Sequence, residues 1–566
     1  MKLILKQYLS SLRERGELDA ILPDLLSQLG LNVYSRPARG TRQDGVDVGA
    51  VGSLNGEPEK VYLFSIKPGD LTRKAWNGDP IQSLRPSLNE ILDSYIPNRL
   101  PSEHRGKDVV ICICIGGDVQ EQVRPLLTGF MSQHTTVNII FEEWNGDKLA
   151  ALIQSSFLRE DLLPKGARSH LRKSLALLDE PETSHRHFAA LIKSLSAVEN
   201  INHTERLTAL RQMSICLWIL FAWAREAENL ESAYLASELT LLHGWKIFKT
   251  YAGQKEKTSQ FFHTAFLSIF SAYQQICGEF LASNILPHVG KRHGISSAIH
   301  ASCRLDINLK LFDILGRLGT DGIWAYWGSQ MYSDLDLDEG MKQKMLQEAY
   351  RYAISIKELI SNNPSLLLPM KDDQAIDISL AVLLLALDEN NHDDIRHWLS
   401  EIIDRATFSY RSLGTYPCIL NSYGELLLHP KPEDKDYREN VTSGSVLYPM
   451  IALWAALLND DNIYGKVSCL KEEHLAHCNF QFWFPDDHSE EHFYTDSDSH
   501  GAVLSHACVD RSKEELLVQV FGECDQSPHF KELSAIKFNW WPLIVVACRH
   551  YRLPLPVQLI EGFHKK

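Results

Sequence analysis

A change of periodicity near residue 160 divides this chain of 566 residues into two kinds of sequence. Before it, short runs of β-branched and aromatic residues alternate with amphipathic helical stretches. After it, apolar residues recur at helical spacing almost to the C-terminus. Alternating strand and helix patterns build layers around a sheet, whereas unbroken helical periodicity builds bundles or solenoids. The length exceeds what one core fills. We therefore expect an α/β domain with a mixed sheet flanked by helices over 1–160, and a solenoid-like or bundled α-helical region over 161–430. A mostly helical subdomain with an irregular acidic and aromatic loop should follow over 431–566.

Within the first part, 18–29 carries Leu18, Leu22, Leu25, Leu26 and Leu29 on one helical side, with Gly30 as a stop. Strands are expected at 31–35, 46–51, 60–67, 108–115 and 137–141. The near-continuous apolar run at 108–115 predicts burial on both faces. Further helices are expected at 84–95, 120–130 and 147–155. Turn-forming residues at 52–59 make the second and third strands a hairpin.

That hairpin carries the best clue to chemistry. Gly45-Val46-Asp47 opens one strand and Ser65-Ile66-Lys67 ends the next. The pairing brings Asp47 towards Lys67, and residues two apart on a strand share a face, so Ser65 points with Lys67. A carboxylate, a lysine and a flanking polar residue suit magnesium-dependent cleavage of phosphodiesters.

The order of these pieces resembles the PD-(D/E)xK nuclease superfamily, in its Mrr-like restriction endonuclease branch. There an acid-bearing helix leads to a strand, a Gly-x-Asp strand, a strand ending in Gln/Glu-x-Lys, and a helix. The resemblance covers roughly residues 10–155 only. It implies that Asp47 binds Mg2+ or Mn2+, that the Ile66 carbonyl is a further ligand, and that Lys67 orients or deprotonates water or neutralises phosphate. The helix acid is Asp19 or Glu17, and Asp19, eleven residues before Gly30, matches the family spacing better. Ser65 departs from the family, which usually has Glu, Asp or Gln there. A serine supplies no anionic ligand, so metal affinity weakens or the work shifts to Asp44 or the helix acid.

Arg36, Arg39 and Arg42 precede the hairpin, and Arg73, Lys74 and Arg85 follow it. These are expected to hold nucleic-acid phosphates, with Trp76 against sugar or base. The net charge of −15 argues against non-specific coating of DNA. It leaves room for a local basic rim, because charges are screened beyond about 10 Å.

Eleven scattered cysteines without a CxxC pair point to a reducing compartment. No run is long and apolar enough for a signal peptide or a membrane span, and no Walker A, GxGxxG or GxSxG motif occurs. The expected location is cytoplasmic. The segment from Asp486 to His506 is dense in acids and histidines but matches no zinc spacing, and Trp483, Phe484 and Phe493 are expected to anchor it to the core.

Together these features predict a metal-dependent endonuclease acting on DNA, with a helical region that senses a trigger, binds a partner or self-associates. An effector of bacterial defence against phage or foreign DNA has this layout. The alternative is a nuclease-type fold without a usable metal site, acting as a nucleic-acid-binding or scaffold subunit.

Overall fold

A helix opens the chain, where the sequence reading expected none: α1 (Lys2–Ser11) buries Leu5, Tyr8 and Leu9. A π-helical turn, Glu14–Leu18, leads into α2 (Asp19–Gln28). Five strands then form one mixed sheet in sequential order: β1 (Asn32–Ser35), β2 (Val48–Gly52), β3 (Lys60–Lys67), β4 (Val109–Ile115) and β5 (Ile139–Trp144). The β1–β2 and β2–β3 pairs are antiparallel, and the β3–β4 and β4–β5 pairs are parallel. Parallel neighbours need a crossover. Helices α3 (Arg73–Asn77) and α4 (Leu84–Glu90), continued by a π-helix at Ile91–Arg99, supply the first, and α5 (Arg124–His134) supplies the second. Helix α6 (Gly146–Ser156) follows the sheet. This computed structural model describes residues 2–36, 43–54, 56–80, 82–156, 165–197, 202–334, 339–412, 414–431, 435–495 and 501–561.

The pleat sorts the two cores. Val61 and Leu63 of β3 and Val109, Ile111, Ile113 and Ile115 of β4 pack with Trp76, Leu84, Leu88, Ile91, Leu127 and Phe130. The alternate residues, Tyr62, Phe64, Ile66, Val110, Cys112 and Cys114, are also buried, so both faces of β4 are covered along its whole length. Phe64 meets Trp144 edge to face at 5.0 Å. Lys6 of α1 spans Asp118 and Asp147, each at 2.8 Å, and so ties α1 to the segments after β4 and β5.

The chain divides into two compact units, Met1–Ile276 and Cys277–Lys566. The first runs beyond the sheet domain and takes in α7 (Lys165–Ala176), α8 (Pro181–Ser196), α9 (His203–Glu226), α10 (Glu231–Phe248) and α11 (Lys257–Asn284) as far as Ile276. Helix α9 is the one helix, among the described residues, long and apolar enough to cross a membrane. However, 89% of its apolar window is buried inside the protein, as in a core helix.

The second unit is mostly helical. A short helix, α12 (Gly294–Ala298), leads into the longer helices α13 (Arg304–Asp334), α14 (Glu339–Asn362), α15 (Ala375–Leu385) and α16 (His392–Arg411), with α13 packed on α14 and α15. Buried Asp372 accepts the Val446 N–H at 2.7 Å and caps the helix Leu447–Leu457. Two small sheets were not expected: Gly444–Ser445 pairs with Asn479–Phe480, and Phe482–Phe484 with Ala502–Leu504. The start of the expected irregular loop is thus a strand, and Trp483, Phe484 and Phe493 are buried. The Asp486 carboxylate accepts the His488 and Ser489 N–H groups, so this acid serves a local turn. Asp496, Asp498 and His500 lie outside the described residues.

Candidate active site

Tight backbone geometry presents Asp47. Asp44 and Gly45 have φ of 47° and 80°. A Cβ on Gly45 would collide with the Ser87 carbonyl of α4. Only glycine combines that left-handed conformation with so close an approach. Replacing Gly45 with alanine should cost roughly 2–5 kcal/mol, as backbone strain plus overpacking. A drop in the denaturant midpoint checks this. Asp44, considered as a substitute ligand, is instead committed to Arg99 at 2.6 Å.

Asp47 brackets Ser65. Its N–H donates to the Phe64 carbonyl at 2.9 Å, and its carboxylate accepts the Ile66 N–H at 2.7 Å. Burial pushes the Asp47 carboxyl up. The Ile66 N–H and the Lys67 ammonium pull it down, the negative charges of Glu14 and Asp19 push it up, and the result is about 6. The Lys67 ammonium, 8% exposed at the end of β3, pairs with Glu14 at 3.5 Å. Asp47, Lys67, Glu14 and Asp19 therefore share one electrostatic neighbourhood at the carboxyl end of β3. The carboxyl ends of parallel strands are where open α/β sheets bind ligands.

Glu14 is the residue that sequence reasoning missed. Glu17, weighed earlier as a helix acid, is fully buried and turned away to other partners. Its oxygens accept two bonds from Arg225, at 2.6 and 3.0 Å, one from Gln275 at 2.7 Å and one from the Arg13 N–H at 2.8 Å. Burial opposes its ionisation, but Arg225 and the Arg13 N–H more than offset this and leave the carboxyl below its ordinary range. The π-turn separates Glu14 and Glu17 in direction, which ordinary helical spacing does not reveal.

Ser65 is fully buried, and its hydroxyl has no hydrogen-bond partner in the described structure. This orphaned group sits between the backbone bonds of Asp47, where the resemblance calls for an acidic or amide side chain. Among the described residues, no three histidine, cysteine or carboxylate side chains stand as a ready metal cluster. Magnesium does not need one: it is commonly held by one or two carboxylates plus water and phosphate. Asp47 and the nearby negative charges of Glu14 and Asp19 supply the carboxylate chemistry such a hard cation takes.

The expected rim divides. Arg36, Arg73, Lys74 and Arg85 are exposed, whereas Arg39 and Arg42 lie outside the described residues. Trp76 does not join the rim: it is 2% exposed and packs edge to face on Phe130 at 5.8 Å. As the fourth residue of a five-residue helix capped by Thr72, it is turned into the core.

Comparison with family models, with curated proteins and with solved structures gives no match for this chain.

Proposed function

We propose that the first unit carries a divalent-cation-dependent site for hydrolysis of phosphodiester bonds in DNA, built on a restriction-endonuclease-like domain. The observation that supports this reading is the shared neighbourhood of Asp47, Lys67, Glu14 and Asp19 at the carboxyl end of β3. A buried lysine beside a carboxylate held near neutrality is an arrangement suited to chemistry more than to stability. Magnesium or manganese, when bound, supplies a Lewis acid for the phosphate and an activated water. Asp47 and Asp19 are the oxygen donors for it, joined by the Ile66 carbonyl. Lys67 sets a positive charge against the scissile phosphate, and its burial strengthens that field. Arg36, Arg73, Lys74 and Arg85 hold flanking phosphates. The helical remainder senses a trigger or holds a partner, as in an effector of defence against foreign DNA.

Full-length protein should cut plasmid or linear DNA with Mg2+ or Mn2+ and stop with EDTA. Asp47→Ala and Lys67→Ala should each lower the rate at least 100-fold while still unfolding in a single cooperative transition. Undiminished cutting by both variants overturns this site assignment. The serine at position 65 favours a second reading, in which the domain grips nucleic acid without cutting it. In that case native protein binds DNA but leaves it intact, and Ser65→Glu alone introduces cation-dependent cleavage.

A further inference from the structure

A buried ion pair and, further along, an arginine bonded to Gln28 and attracting Asp24 link the π-turn and α2 to α9. At one end Glu17 is gripped by Arg225 and by Gln275 of α11. At the other, the Arg211 charge draws Asp24 down against its burial, and Arg211 donates to Gln28 at 2.9 Å. The first tie lies inside the acidic segment of the site: Glu14 precedes Glu17 by three residues and Asp19 follows it by two. Gln275 is the penultimate residue of the first unit. A π-turn inserts a wider step into a helix and redirects every side chain before it. Whatever holds Glu17 therefore sets where Glu14 points, and Glu14 is the group in contact with Lys67.

We propose that Arg225 and Gln275 are positioning residues that act through Glu17, holding the π-turn so that Glu14 meets Lys67 and Asp19 faces Asp47. This rests on the cation-site reading for its functional meaning, but not for its geometry. The fully buried Glu17 carboxylate makes four hydrogen bonds and none of them is to the site. Its work is orientation: partners drawn from α9 and α11, far along the chain, govern the acids on either side of it. The helical part of the first unit is in this way a component of the site and not an appendage.

The test uses full-length protein and two readouts. The first is a double-mutant cycle on thermal stability. Glu14→Gln lowers the melting temperature in the native background by removing its pair with Lys67. In an Arg225→Lys or Gln275→Leu background that decrement should shrink by at least half, because the pair is already loosened. Equal decrements in all backgrounds overturn the proposal. The second readout is the Mn2+ concentration giving half the maximal thermal shift. Arg225→Lys and Gln275→Leu should raise it at least tenfold, whereas Arg211→Lys, which weakens the other tie, should leave it within twofold. An equal rise in Arg211→Lys overturns the assignment to this tie. If native protein shows no response to Mn2+, the cation reading fails on its own, and the cycle still decides the positioning role.

Discussion

At pH 7.5 the Asp47→Asn variant will be more stable than the native protein by roughly 3 kcal/mol, and it will have lost cation-dependent cutting. The Asp47 carboxyl stands at about 6 against an ordinary value of 3.8, because burial first, and then Glu14 and Asp19, disfavour its charged form. A carboxyl raised in the folded state binds its proton more tightly there than in the unfolded chain. Its contribution is intact below about pH 4 and is lost as pH rises through about 6. The displacement converts to roughly 3 kcal/mol above pH 7. Asparagine removes the charge while its carboxamide oxygen still accepts the Ile66 N–H. For a unit of this size the gain reads as a melting temperature about 6–10 °C higher at pH 7.5. The gain disappears below pH 4, where both side chains are neutral. A difference of constant size across that range would show that crowding of charge at Asp47 is not its source. Mn2+ at millimolar concentration should raise the native transition at pH 7.5 and leave Asp47→Asn unmoved. A group held against its own ionisation is stabilised by a cation, so on the proposed reading the stability this position costs is recovered when the metal binds.

A fragment ending at residue 160 will not fold cooperatively, although it contains every strand of the sheet. It lacks Arg225 and Gln275, so Glu17 would keep only the Arg13 N–H and, at 3.7 Å, the Arg13 guanidinium, and the π-turn would lose its anchor. It also lacks Arg211, the charge that moderates buried Asp24. The lost anchoring of the π-turn, with the apolar surface of α1 and α2 uncovered where α9 packs, is set against the small net stability of an ordinary domain of that size. Near-UV circular dichroism and thermal melts should show no sharp transition. A fragment ending at Asn284, where α11 ends, should melt cooperatively. Cooperative melting of the shorter piece would mean that these ties contribute little.

The strands were legible because their signal is local. The expected 60–67 is β3 as observed, and the apolar run at 108–115 announced a strand buried on both faces, as β4 is. The Asp47–Lys67 juxtaposition was legible for the same reason, since a hairpin fixes register between near neighbours. The acids of the first helix were not. Choosing among Glu14, Glu17 and Asp19 by 3.6-residue spacing assumes an α-helix, and the turn there is wider. Glu17 is claimed by a guanidinium 208 residues downstream, which no local pattern encodes. Trp76 was misread because an aromatic among basic residues looks the same in sequence whether it faces solvent or core. The small sheets of the second unit pair segments of two or three residues, too short to carry a periodicity.

The separation of 208 residues between Glu17 and Arg225 has a consequence during synthesis. A ribosome adding about 5–20 residues per second exposes the N-terminal acids some 10–40 s before their arginine emerges. All five strands have been synthesised in that interval, but the segment bearing Glu14 and Asp19 has nothing to seat it. On the proposed nuclease reading, any cutting would thus wait until the helices that seat these acids had also been translated.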